Sequence, residues 1–474
     1  MYPITSSWSV TSSFSENISP YAYVSDYIGV NWTDTNIDRA WRSIAVSEDG
    51  RKMYALNSSG SRRIYNSNDY GSTWNTSSFS NGAGDLVGRD IVCSFDGNKV
   101  YAPRAIQHSP NFSDPADPDF KNYQVYLYTS SNAGTTWTTN FEFAYPANII
   151  GNMDCSSDGS KIYALGVSTQ YFDDTSSLFV TLPSKLLKST NSGVSWNSSS
   201  IYNYYSSSGA GFTGSWGSPS CIKCSEDGQK LYVIDFTSSF VNPDENQSIS
   251  TSSYYILTSS DAGQNWYKID GNNGLPLMGY QGLTVSGSES YYYDRYGNSI
   301  YNGTYSRNIS RLEVSYDGNT IILPSSYGYV YISIDGGSSW NQSLTENRWT
   351  RCSTSGDGSV MIAAHSGSSK IYVSIDAGLT WSQREQLRVW SEFAASRNGA
   401  IILAAESNYH NYSFTGSLFV SNARASVINV GTSGTSGTSG TSGTSGASGA
   451  SGTSGTPVDR VGLQNGNPFI HPLE

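Results

Sequence analysis

Two short motifs alternate along this chain, and the alternation constrains its fold more than any other feature. The first is a Ser-x-Asp-Gly turn between two apolar runs, at residues 47–50, 94–97, 156–159, 225–228, 315–318, 355–358 and 396–399, the last with Asn398 for Asp. Five residues after the Asp or Asn stands a large residue in every copy: Tyr54, Tyr101, Tyr163, Tyr232, Ile322, Ile362 and Leu403. Asp-Gly between apolar runs signals a hairpin, because a tight reversal needs positive φ. The second motif, Ser-x-Asp-x-Gly-x-x-Trp, falls between copies of the first. It pairs Asp69 with Trp74, Asp261 with Trp266, Asp335 with Trp340 and Asp376 with Trp381, and it recurs with Asn132 and Asn191 at the Asp position. The carboxylate or amide there is expected to accept backbone N–H groups across the loop, with Gly in the strained position and Trp packed between strands. A seventh, degenerate copy at 418–421 has lost the loop.

Two hairpins per repeat make one four-stranded blade, and seven repeats close a ring, so 474 residues need not mean several domains. These residues resemble the Asp-box, or BNR-repeat, family, found in sialidases, sortilin-type receptors, xyloglucanases and photosystem assembly factors. The resemblance covers residues 41–420 and implies an all-β, seven-bladed β-propeller with Asp-box turns. It says little about function, because in that family the boxes sit at the blade periphery. The expected organisation is a propeller over 1–430, a low-complexity Gly-Thr-Ser tract over 431–457 and a docking peptide over 458–474. Residues 7–14 resemble 73–79, the strand after a box, so an N-terminal strand is expected to close the last blade. A box-like stretch at 21–32, with Tyr27 in the Asp position, keeps eight blades as the alternative count.

Composition narrows the function classes. Only 14% of residues are charged, against about 25% in globular domains, and Ser, Thr, Asn, Gly and Tyr fill the space, which excludes a helix-rich protein. A 13% aromatic content argues against disorder over most of the chain. A net charge of −11 and a pI near 4.9 exclude a binder of nucleic-acid phosphates. No run of 18 apolar residues occurs, so no membrane span is expected, and residues 1–10 lack the pattern of a secretory signal. Cys93, Cys155 and Cys224 share one repeat position and Cys352 lies two residues further back, which reads as core packing. Cys221 and Cys224 have metal-like spacing, but a strand sends them to opposite faces, so neither metal nor cofactor is expected.

The length variation lies on one face. From hairpin Asp to box Asp or Asn the distance is 20, 18 and 19 residues in repeats 1, 5 and 6, but 36, 33 and 34 in repeats 2, 3 and 4. Insertions on one face of a rigid scaffold are where binding usually resides. These loops carry Tyr204, Tyr205, Trp216, Tyr291, Tyr292, Tyr293 and Tyr296, suited to sugar rings or protein surfaces, or else to packing the loops onto the scaffold. A second candidate cluster stands eight residues before the hairpin Asp or Asn: Trp41, Trp349 and Trp390, with Arg42, Arg89, Arg351 and Arg388 close by. It reads either as an anion or sugar pocket or as Trp side chains sealing blade on blade.

The expected function is therefore non-enzymatic binding of a glycan or protein through the loop-rich face of repeats 2–4. The alternative is a glycoside hydrolase using loop carboxylates such as Asp174 or Asp294, although the Arg-Ile-Pro motif of sialidases is absent. From Gly431 onward Gly occupies nine successive third positions, the steric requirement of a collagen-like stalk and also the composition of a flexible linker. Similar short tracts occur in phage and giant-virus fibre proteins. The tail is expected to self-associate or dock on a virion, fibre or filament, which would put the protein on a virion surface or outside the cell.

Overall fold

The computed structural model describes residues 27–423, apart from intervals concentrated in 58–62, 78–84, 108–122, 144–149, 202–215, 270–277 and much of 286–308, together with strands Val458–Gln464 and Asn467–Pro472. Every element it names is a strand, and the chain is an all-β propeller. Among the described residues no helix is long and apolar enough to cross a membrane.

Each repeat folds as its period-two pattern dictates. Repeat 1 forms a four-stranded antiparallel sheet from Trp41–Val46, Met53–Asn57, Ile64–Ser67 and Asn75–Thr76. Repeats 3 and 5 do the same, and repeats 2 and 4 form five- and eight-stranded sheets. The expectation of seven separate four-stranded sheets is corrected here: these five sheets are self-contained, while repeats 6 and 7 share one sheet of seven strands. The cause is the 14-residue strand Ser382–Ala395, which pairs with Ser368–Ser374 through its first half and with Ile401–Glu406 through its second. It contains neither Gly nor Pro, so nothing breaks the extended backbone between one repeat and the next.

Backbone hydrogen bonds link the Ser-x-Asp-Gly turns in a closed circle. Glu48 N donates to Phe95 O (2.7 Å), Phe95 N to Ser157 O (2.8 Å), Ser157 N to Glu226 O (2.7 Å) and Glu226 N to Tyr316 O (2.6 Å). Tyr316 N continues to Gly356 O (2.7 Å), Asp357 N to Arg397 O (2.9 Å), and Arg397 N returns to Glu48 O (2.9 Å). The buried clusters follow the same circle, each drawing on two successive repeats. Tyr54 and Leu56 of repeat 1 pack with Ile91 and Val100 of repeat 2, for example, and Trp41 and Met53 pack with Leu403 and Leu418 of repeat 7. Cys221 and Cys224 belong to different clusters.

The circle closes on an N-terminal strand. Trp32–Asp34 pairs with Leu418–Asn422 as the outer strand of the last sheet, and Trp32 Nε1 donates to Gly29 O (2.7 Å). Residues 7–14, expected in that role, lie outside the described residues, as does the Gly-X-Y tract.

Candidate ligand-binding face

The two repeated motifs account for most of the polar groups at one end of each sheet. In the turns, Ser47 Oγ donates to Asp49 Oδ1 (2.6 Å), Arg51 N donates to the same oxygen (2.9 Å), and Gly50 takes φ +74°. In the longer loops, Asp69 Oδ1 accepts Thr73 N (2.8 Å) and the Ser67 hydroxyl (2.8 Å), Ser67 Oγ accepts Gly71 N (2.9 Å), and Trp74 Nε1 donates to Gly71 O (3.0 Å). Asn132 and Asn191 take the same place, each Oδ1 accepting the backbone N–H four residues on at 2.9 Å. The residue before the Gly is also left-handed, as at Tyr70, Ala133 and Ala377, and its N–H reaches back to the hairpin; Ala133 N donates to Asn98 O (2.9 Å). At several of these motifs the donors hold the carboxyl low. Hydrogen bonds from Ser160 and Ser156 bring Asp158 to about 2, and Asn265 and Ser259 do the same for Asp261. Carboxylates so engaged are turn staples, not reagents.

The ring centre is also occupied. Six residues before the hairpin Asp or Asn, each inner strand contributes one side chain: Ser43, Asp90, Asn152, Cys221, Arg311, Arg351 and Glu392. Asp90 accepts the Ser43 hydroxyl (2.6 Å), the Asn152 amide, and the N–H groups of Ile91 (3.1 Å) and Met153 (3.3 Å). Lys223 pairs with Glu313 at 3.0 Å, and Arg311 forks onto Glu392, reaching from repeat 5 to repeat 7 past repeat 6. Burial raises the carboxyls of Asp90 and Glu313. Burial would lower the Lys223 ammonium, but Glu313 and Asp154 outweigh it and hold it well above its usual value. Arg351 donates to the carbonyls of Ser391 and Thr350, and burial pulls it down. At the turn end, the rings of Phe95 and Tyr316 stack at 3.8 Å and Arg397 pairs with Glu48. This belt ties repeats together. Its carboxylates already have partners, and it offers no free acid and base pair among the described residues.

Of the expected second cluster, Trp349 and Trp390 are 1% and 4% exposed. Their indoles donate to Thr345 O (2.9 Å) and Ser369 O (3.0 Å), and each ring packs in a buried cluster drawn from two successive repeats. Trp41 is buried likewise and donates to Gly416 O (2.7 Å). Arg42 lies exposed at a register shift between Trp41 and Ser43, apart from the channel position of Arg351. Arg388 is engaged by Glu385 (3.4 Å) and Glu406 (3.5 Å) and stacks 4.3 Å over Phe419. Arg89 lies outside the described residues. The belt was missed in sequence, although aligning the repeats at six and four residues before the hairpin Asp would have exposed Asp90, Asp154, Lys223, Arg311, Glu313 and Glu392.

The opposite end is where repeats 2–4 depart from the rest. The second strand of each repeat begins at the Ser-x-Asp-Gly turn and runs away from it, so the connection to the third strand emerges on the far face. In repeats 5 and 6 this connection is short, between Ile321–Pro324 and Gly328–Ser333 and between Met361–His365 and Ser368–Ser374. In repeat 2, Val100–Gln107 and Tyr123–Ser130 stay paired throughout, with Asp85–Val87 added alongside. Repeat 3 carries a separate hairpin, Thr169–Asp173 with Leu178–Leu182. Repeat 4 builds the largest arm, Leu231–Asp244 against Gln247–Ser259, extended by Met278–Val285, Tyr291–Tyr293 and Ser299–Ile300 and flanked by Trp216–Gly217. Where these insertions are described, they form paired strands. Within the arm, Tyr292 is in register with Gly282 and through it with Ser250 and Phe240, while Tyr293 follows with Gln281, Thr251 and Ser239. Trp216 pairs with Ser238 at the edge. Tyr204, Tyr205 and Tyr296 lie outside the described residues.

Similar solved structures include YCF48 from Cyanidioschyzon merolae, 13% identical, over 82% of this chain and 98% of that one, with a TM-score of 0.47. A GH74 enzyme of Niastella koreensis is 14% identical over 80% of this chain and 71% of its own, with a TM-score of 0.23. No protein-family model matches the sequence, and no curated protein matches it. The functional reading therefore rests on the geometry of the chain itself.

Proposed function

We propose that this chain is a non-enzymatic binding protein that recognises a glycan or a protein surface through the arm-bearing face of repeats 2–4. The repeats that build the ring are of the Asp-box kind. The observation that carries the reading is the asymmetry of the far face, with strand-built arms on repeats 2, 3 and 4 and short turns on 5 and 6. The arm strands are rich in Tyr, Ser and Thr, residue types that suit recognition of sugars and protein surfaces at low entropic cost. The ion-paired ring centre supports binding over hydrolysis. The tail from Gly431 onward tethers the propeller to a larger particle such as a virion, fibre or filament, placing it on that particle's surface or outside the cell.

A glycan array run together with a panel of chromogenic glycosides tests the reading. Binding without turnover is expected. Turnover that an Asp174→Asn or Asp294→Asn change abolishes would replace binding with glycoside hydrolysis on the same face.

A further inference from the structure

Among the described residues, five asparagines head an Asn-x-Ser/Thr triplet: Asn31, Asn57, Asn75, Asn197 and Asn341. Asn57 is 2% exposed and its Oδ1 accepts Arg63 N (2.5 Å), so the fold accounts for it. The other four are exposed, and none of their side-chain amides bonds to a described residue. Three stand at one repeat position, directly after the Trp of the loop motif, where they open the outer strands Asn75–Thr76, Asn197–Ser199 and Asn341–Asn347 of repeats 1, 3 and 5. Asn31 directly precedes Trp32–Asp34, the outer strand of repeat 7.

The hydroxyl of the triplet comes and goes with the asparagine. Ser77, Ser199 and Ser343 stand two residues after Asn75, Asn197 and Asn341, whereas repeats 2, 4 and 6 carry Thr138, Tyr267 and Ser382 at the first position and Asn140, Ile269 and Arg384 at the third. The fold uses two of these hydroxyls: Ser77 Oγ donates to Ile64 O (2.9 Å) and Ser343 Oγ to Gly378 O (2.8 Å). The amides have no such use. Each outer strand starts from the loop motif, so the four asparagines lie around the turn end of the rim, opposite the face from which the arms of repeats 2–4 emerge.

We propose that Asn31, Asn75, Asn197 and Asn341 are N-glycosylation sites, with a lipid diphosphate-linked oligosaccharide as the donor. The amide nitrogen bonds to C1 of the first sugar and gives up a proton, while the C1–O bond to the diphosphate breaks and the lipid diphosphate leaves with the electron pair. This rests on the reading that places the protein outside the cell, because that donor belongs to the export route. Only 14% of residues are charged, and glycans supply the rim with hydration that charge does not. All four outer strands end their sheets, so a glycan at the start of each also stands beside an open edge to which another strand would otherwise add. The arm-bearing face stays clear of these glycans.

Export of the full chain from cultured eukaryotic cells behind an added signal peptide tests this. Glycans are released by a peptide N-glycosidase in heavy-oxygen water, which leaves a labelled Asp wherever an Asn carried sugar. Label at Asn31, Asn75, Asn197 and Asn341 and none at the buried Asn57 is expected; an exported chain unlabelled at those four would overturn the proposal. In the chain made by a bacterial host without the transferase, Asn31→Gln, Asn75→Gln, Asn197→Gln and Asn341→Gln together should leave the melting temperature unchanged. A clear fall would show that the amides serve the fold and would remove the reason for reading them as acceptors. Ligand binding by the arms is measured on the bacterial chain, so a failure of that reading is seen separately.

Discussion

At the scale of single residues, the carboxylates do most of the local specification. Asp69, Asp96, Asp158, Asp227, Asp261, Asp317, Asp335 and Asp376 all have lowered pKa values, each bonded to a Ser two residues back and to backbone N–H groups ahead. A carboxyl whose pKa is lower folded than unfolded stabilises the fold above the unfolded value, near 4, and loses that contribution as pH falls toward about 2. Asp90 and Glu313, raised by burial, act in the opposite sense. Thermal melts from pH 5 to pH 2 should therefore show a falling melting temperature, with a shallower fall in Asp158→Asn; a flat profile would contradict the staple role. Asn is a tolerable test residue because Asn132, Asn191 and Asn398 already hold equivalent places. The Ser, Asp and Gly of both motifs were legible in sequence because local hydrogen bonding fixes their spacing. Gly356 was not: a Cβ there would lie 2.2 Å from the Tyr316 ring, a contact set by a neighbouring repeat.

At the scale of strands, the seams between repeats are of two kinds. In repeats 1–4 the Tyr five residues past the hairpin Asp donates its hydroxyl to the next turn's Gly carbonyl, as Tyr101 does to Gly159 (2.6 Å), Tyr163 to Gly228 (2.6 Å) and Tyr232 to Gly318 (2.8 Å). Beside it a Lys ammonium donates to the next Asp carbonyl, as from Lys99 to Asp158 (2.8 Å) and Lys230 to Asp317 (3.0 Å). Repeats 5–7 put Ile322, Ile362 and Leu403 in the Tyr position, side chains with no hydroxyl to donate to the next turn. The large residue was legible from spacing, but the partner of its hydroxyl belongs to another repeat and was not. Removing that hydroxyl leaves a buried carbonyl one donor short, so Tyr163→Phe should cost about 1–2 kcal/mol, read as a lower denaturant midpoint at constant m. An unchanged midpoint would mean the seam rests on ring packing. The shared sheet of repeats 6 and 7 was likewise hidden, because a strand that simply continues leaves no turn signal to read.

At the scale of the whole molecule, repetition made the propeller legible, and departures from repetition mark where function is proposed. The ring centre holds the Lys223–Glu313 and Arg311–Glu392 pairs, with Phe95 stacked on Tyr316 at the turn end. On the far face, insertion length pointed to repeats 2–4, but it could not tell loops from paired strands, because the arm strands Leu231–Asp244 and Gln247–Ser259 run on from blade strands without a break. The most direct test of the binding claim is the affinity of an array-identified ligand for a chain whose repeat 4 arm is cut back. Ser238 and Ser252 are register partners, so an Asn-Gly turn between them preserves the blade beneath. Calorimetric titration should show affinity reduced about a hundredfold, with the melting transition of the ring retained. Undiminished affinity in the cut-back chain would contradict recognition through the arms.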